Sequence, residues 1–178
     1  MLDTAPLRGA CDALLDAAAS VADADTTLAT PAGQWSADQI LAHVAIVNAT
    51  TIATAYAIAA GTNTTYDNRI ALDTWTINNV IALAGGNTGL RERIRHQADV
   101  LCALGDPVLS ETELNTPVPT RLLSNDTLLV DQPVPLRDLI AGLTNTELPG
   151  HTQQLHALLD NHPPATARAF SSPPGATT

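Results

Sequence analysis

The feature that most constrains this chain is the run Trp35-Ser36-Ala37-Asp38-Gln39-Ile40, which reads as a complete helix start. The Ser36 hydroxyl can accept from the Gln39 amide while the Gln39 side chain returns to the Ser36 amide, satisfying two otherwise orphaned donors. Trp35 and Ile40 flank the cap as a hydrophobic staple, and Asp38 puts a negative charge in the electropositive first turn. Behind this start, Ile40, Val44, Val47 and Thr51 form one apolar stripe and Leu41, Ala45, Asn48, Ile52 and Tyr56 a second, until Gly61 ends the helix after about residue 60. So wide an apolar surface implies neighbours on two sides.

The neighbours are legible by the same period. Leu7, Cys11, Leu14, Ala18 and Val21 predict a helix over 5–22, and Leu90, Ile94, Ala98 and Leu101 predict one over 88–104, with Arg91, Glu92 and Arg95 turned to water. Leu72, Trp75, Ile77, Val80, Ile81 and Ala84 fit a helix over 67–84, which Gly85-Gly86-Asn87 breaks; both tryptophans read as core or staple residues rather than as a substrate platform. A final helix opens near Pro135 and carries Leu136, Leu139, Ile140, Leu143, Leu155, Leu158 and Leu159 to about Asp160, bent at Pro149-Gly150. Between these, five prolines interrupt residues 106–135, where Arg121-Leu122-Leu123 and Thr127-Leu128-Leu129-Val130 flank Ser124-Asn125-Asp126 like a small hairpin or extended crossover. Aromatic residues make up only 3% against 45% hydrophobic, so the core must be built from Ala, Leu, Ile and Val, which favours closely packed helices. The expected fold is all-α: a helical bundle domain over 1–162 with a long, partly extended crossover before the last helix, and a flexible Pro/Ser-rich tail over 163–178.

Charge narrows the function classes. The net charge is -10 and the chain has no lysine, so it lacks the cationic footprint that nucleic acid or an anionic membrane surface requires. No cationic leader precedes an apolar segment, and no window reads as a membrane span, so the expected location is cytoplasmic. Cys11 and Cys102 fall on apolar helix stripes without metal or disulfide spacing and read as small core residues. Asn48, Asn63 and Asn125 open Asn-x-Thr triplets, which carry no weight without secretion.

Polar residues that share a helix face with the core are few. His43 lies at the flank of the buried stripe, between Ile40 and Val47. On the last helix, positions 136, 140, 143, 147, 151, 154 and 158 form one ridge, which places Glu147, His151 and Gln154 where the core turns polar. Glu147 and His151 stand about 40° apart and about one turn in rise, so both can reach a single ion. The same residues could equally be a hydrogen-bonded packing histidine and an i,i+4 surface pair. His156 lies about 140° from His151 around the axis, and His96 sits among exposed neighbours, so neither joins the set; His162 is left out as well.

Two segments also resemble a known family. Trp35-Ser36, Ile40-Leu41, His43 and then Asn48 are similar to the second-helix motif of the damage-inducible protein B (DinB) superfamily of four-helix bundles, and Glu147-Leu148-Pro149-Gly150-His151-Thr152-Gln153-Gln154-Leu155 resembles its last-helix motif. The order and separation of helices match over residues 5–160, and Glu rather than His at position 147 is most similar to the mycothiol-dependent maleylpyruvate isomerase branch. The resemblance implies that His43, Glu147 and His151 bind a divalent metal, zinc or nickel. By position, Gln154, one turn beyond His151, and Asn48, five residues beyond His43, could orient ligands or substrate, or each could be a polar residue bonded to a helix carbonyl. Two imidazoles and one carboxylate leave such an ion an open position, where a thiol would lose its proton or water would give hydroxide.

The function expected from that implication is a metal-dependent thiol S-transferase or thiol-dependent isomerase. It would act on a small electrophile, with mycothiol as a candidate cosubstrate. The alternatives are a non-catalytic bundle that binds metal or a small ligand, and a structural or homodimerising bundle without metal, in which His43, Glu147 and His151 make buried hydrogen bonds.

Overall fold

The computed structural model describes residues 2–24, 33–105, 108–124 and 127–160. The expected tail at 163–178 and the hairpin tip Asn125-Asp126 lie outside them. Helix α1 (Ala5–Asp23) buries the stripe Leu7, Cys11, Leu14, Ala18 and Val21, together with Leu15 and Ala17. At the start of α2 (Ala37–Ala59), Gln39 donates its amide to the Ser36 hydroxyl at 3.3 Å and Ser36 donates its amide to the Gln39 side chain at 2.9 Å, the reciprocal cap expected.

From Ile40 to Asn48 every residue of α2 is buried, so this helix is covered on all sides over its first turns. By length and composition α2 is able to cross a membrane, contrary to the expectation that no window reads as a span. Its most apolar window is 61% buried inside the protein, so that surface is spent on the core.

The expected helix at 67–84 is shorter and differently placed. Tyr66–Asp67 is a strand, β1, and Arg69–Ala71 a 3-10 turn, before Asp73 caps the Thr76 amide at 2.8 Å and starts α3 (Thr74–Ala84). That cap fixes a phase in which only Ile77 is buried; Trp75 is 74% exposed, so it is not a core residue. Gly85 ends α3 at a left-handed φ of 77°, and Gly86 at 82° starts α4 (Asn87–Cys102), so the break makes two helices rather than one bent one. Helix α4 buries Leu90, Ile94, Ala98 and Leu101 as expected, although Arg91 is half-buried rather than turned to water.

The largest departure from an all-α chain is a three-stranded sheet. After the short helix α5 (Glu111–Leu114), β2 (Pro117–Ser124) pairs antiparallel with β3 (Thr127–Pro135), and β1 adds parallel to β2 through Tyr66↔Thr120 and Asp67↔Arg121. Four of the five prolines lie within the strands instead of interrupting them, Pro117 facing Pro135 and Pro119 facing Pro133; Pro107 lies outside the described residues. Leu136 donates its amide to the Thr116 carbonyl directly opposite, so the alternating ladder makes both proline pairs the non-hydrogen-bonded kind, which need no N–H between these strands.

The last helix runs from α6 (Leu136–Gly142) through a π-helical turn (Leu143–Glu147) into α7 (Leu148–Asp160). Pro149 has no N–H for the Asn145 carbonyl four residues earlier, and in a regular helix its ring would crowd that carbonyl. The helix answers with a wider turn just before the proline, in which Leu148 donates to the Leu143 carbonyl. Helix α1 packs on α4 and α7, and α2 packs on the same two, so the four longest helical elements follow one another around the core as α1, α4, α2, α7. The sheet lies beside this ring, with Val118 and Thr120 of β2 turned inward.

Candidate metal centre

The helix order brings His43 of α2 against Glu147 and His151 of the last helix. Their candidate ligand atoms all lie within 4.8 Å of one another. Both histidines are buried and Glu147 is half-buried. His43 Nε2 is 2.7 Å and His151 Nε2 is 3.2 Å from the same oxygen, Glu147 Oε1.

The other nitrogen of each ring settles what these contacts are. A carbonyl oxygen can only accept, so His43 Nδ1 donates to the Ala71 carbonyl at 2.8 Å, and His151 Nδ1 donates to the Gln154 side-chain oxygen at 2.9 Å. In the neutral ring that leaves both Nε2 atoms as lone pairs aimed at a carboxylate oxygen, which is repulsive unless a proton or a cation lies between. Two imidazoles oriented in this way, with a carboxylate, are a fitting donor set for a divalent ion. Tetrahedral ligands at about 2.0 Å from zinc stand about 3.3 Å apart. His151 already matches that spacing to Glu147 at 3.2 Å, the His43 contact at 2.7 Å needs to open by about half an ångström, and the two imidazole nitrogens, within 4.8 Å of each other, need to draw together.

Burial pushes the Glu147 carboxyl up. When the rings are protonated at Nε2, hydrogen bonds from His151 and His43 and the charge of both rings outweigh burial and hold it well below the usual carboxylate range. The carboxylate is therefore ionised, the form a metal needs.

Gln154, expected beside the ligands, accepts from His151 Nδ1. Asn48 does not reach the triad: it is fully buried elsewhere on α2, and neither of its amide atoms has a hydrogen-bond partner among the described residues. Trp35, expected to be a staple, lies over the site. Its ring centroid is 4.9 Å from His43 and 6.4 Å from His151, nearly parallel to the latter at 13°. Sequence reasoning missed the Ala71 carbonyl and Tyr66. The first is backbone and leaves no mark in residue identity; the second sits in a Thr/Asn-rich stretch without a period.

The triad opens into a cavity of about 790 Å³ between the last helix and the hairpin. Asn68 helps shape it by donating to the Leu123 carbonyl at 2.8 Å and accepting from the Leu123 amide at 2.9 Å, which ties the 3-10 turn to β2 beside its bulge. Tyr66 is buried against α2, its hydroxyl 3.1 Å from Thr51, and burial pushes it up to about 12. Comparison of the chain with protein-family models, curated proteins and solved structures finds no match, so the resemblance to DinB proteins rests on the residues quoted for it.

Proposed function

We propose that this chain is a DinB-like bundle that holds a divalent metal through His43, Glu147 and His151. In the same reading it is an enzyme of the thiol S-transferase or thiol-dependent isomerase class, working on a small molecule in the cavity. The observation that carries the metal reading is that each imidazole spends its Nδ1 proton on a fixed acceptor, so that two lone pairs and a carboxylate converge on one point. When bound there, the metal supplies a Lewis acid that lowers the pKa of a thiol or water. The Ala71 carbonyl and Gln154 hold the two rings against rotation, and Trp35 covers them, limiting water at the reacting end of the cavity. Thiol chemistry is favoured over hydrolysis by the resemblance alone.

The contacts from Glu147 to both histidines also support a second reading, a closed hydrogen-bonded cluster with no ion. Elemental mass spectrometry separates the two, on untagged protein incubated with zinc, nickel or manganese and then desalted. Near-stoichiometric metal in the wild type, lost in His43→Ala and in His151→Ala, is the expected result. A wild type that stays empty with all three ions sinks the metal reading and the enzyme with it. If metal binds, loss of thiol consumption in His43→Ala, with a model electrophile and a small neutral thiol, tests the reaction class.

A further inference from the structure

The walls of the cavity carry an unusual charge pattern. Leu122, Leu123, Leu129 and Val130 from the hairpin and Leu139 and Leu143 from the last helix form an apolar lining, and the ionisable groups beside them are the carboxylates Glu147 and Asp138 and the imidazoles His43 and His151, which close on Glu147 at the inner end. Among the described residues no arginine lines it, and the chain has no lysine to offer. Arg8, Arg69, Arg121 and Arg137 are paired with Asp99, Asp67, Asp131 and Glu111 away from the cavity. Arg91, Arg93 and Arg95 sit on α4, outside the lining.

Two polar groups that could have greeted an anion are already committed, one of them in part. Thr51 donates its one hydroxyl proton to the Val47 carbonyl, so at 3.1 Å it accepts the Tyr66 proton, and Tyr66 keeps only lone pairs. The Asn68 amide spends its oxygen and one of its two N–H donors on Leu123. An anion entering here would give up its hydration to meet apolar walls and two carboxylates, with only the neutral polar groups of Gln34, Asn68, Ser124, Thr146 and Gln154 and two imidazoles already turned on Glu147 to replace it. Leu129, a lining residue that is 62% exposed, instead offers apolar contact at the mouth.

We propose that the cavity selects its substrate by charge, taking an uncharged molecule with an apolar body and rejecting its carboxylate- or phosphate-bearing analogues. This rests on the reading above that the cavity is where the substrate enters. A divalent ion at the triad would outweigh Glu147 by one charge and, with Asp138, leave the lining neutral, so selection by charge is a property of the metal-free cavity and in the loaded one only the apolar walls remain to disfavour an anion.

The protein contains its own reporter. Of its two tryptophans, Trp35 lines the cavity and Trp75 is exposed outside it, so Trp75→Phe leaves a single cavity fluorophore. Metal-free and zinc-loaded Trp75→Phe protein would be titrated with methyl 4-nitrobenzoate and with 4-nitrobenzoate, a matched neutral and anionic pair of quenchers. Saturable quenching by the ester is expected in the metal-free protein, with affinity at least about tenfold above that for the carboxylate. Leu129→Arg, at an exposed position that tolerates the change, should narrow this gap by about tenfold.

Equal affinities, or no saturable quenching by the ester, overturn the proposal. So does saturable quenching in Trp35→Phe, where Trp75 reports binding outside the cavity. The metal reading fails separately: a protein that stays empty of metal yet prefers the ester keeps charge selection and loses the metal, and one that binds metal but takes both probes alike does the reverse.

Discussion

The two halves of the candidate centre are held in different ways. On the α2 side, His43 is fixed by a backbone carbonyl, that of Ala71, at the end of a 3-10 turn that Asn68 pins to the hairpin. On the last-helix side, Glu147 ends a π-helical turn, and His151 is oriented by the exposed side chain of Gln154. The first half is anchored by groups that no side-chain substitution at the acceptor removes. The second is built from replaceable parts around a helical irregularity, and such turns recur at functional sites because they aim side chains that a regular helix could not. The candidate centre is thus half template and half adjustable arm.

The sharpest way to break this comparison is Glu147→Ala, which removes the one oxygen common to both halves. Metal content should fall from about one ion per chain to background while the far-ultraviolet circular dichroism is kept. Gln154→Ala should act on the arm alone: metal affinity measured by chelator competition falls by about 10–100-fold, with thermal stability nearly unchanged because the side chain is exposed. An effect of Gln154→Ala as small as that of a surface change elsewhere on α7 would mean that His151 needs no orienting partner, and the asymmetry would disappear.

Alkaline pH probes the anchored side. Tyr66 titrates at about 12 in the folded protein against an ordinary value of 10.0, because burial disfavours the phenolate and the charge of Glu147 adds to that. A folded value above the unfolded one means that the chain gains by losing its proton only on unfolding. Stability is therefore whole below pH 10 and declines as pH rises towards 12, by about 2–3 kcal/mol from this residue. The Cys11 thiol, pushed up to about 11 by burial in the core, adds a decline that begins near pH 9. No lysine titrates in this range to mask either. Chemical denaturation of wild type and Tyr66→Phe across pH 8 to 12 should show the steeper fall in the wild type. Superimposable curves would place Tyr66 in water.

The smallest expected effect is at the helix start. Ser36→Ala removes one half of the capping box and should lower stability by about 1 kcal/mol, read from urea unfolding. Metal affinity should follow only weakly, because His43 lies two turns further on, within the stretch Ile40 to Asn48 where every residue is buried.

What can be read in advance, and what cannot, divides along physical lines. The α2 cap and the stripes of α1 and α4 are local patterns with a period, and they appear where the sequence puts them. The pairing of Glu147 with His151 is equally local. The approach of His43 rests on the family resemblance, since contact across 104 positions leaves no periodic trace in a single chain. Trp75 misleads because an apolar side chain in a helical phase reads as core, whereas the Asp73 cap sets a register that turns it outward. Asn48 shows the converse: its position beside an apolar stripe suggests a role at the site, and the five-residue step from His43 carries it about 140° around the helix. The sheet is the hardest to see, since prolines argue against strands unless they fall on alternate positions of a ladder, which is where these four fall.

That placement has a consequence for how copies of this molecule meet. In a non-hydrogen-bonded pair the backbone donors point away from the partner strand, so Pro133 and Pro135 delete donors on the free edge of β3. On the other side of β2, Pro119 removes the donor next to the short β1 pairing, and β1 itself spans only two residues. The hairpin therefore offers a poor template to an incoming strand on either flank. A leucine-rich ribbon such as this would otherwise invite edge-to-edge aggregation.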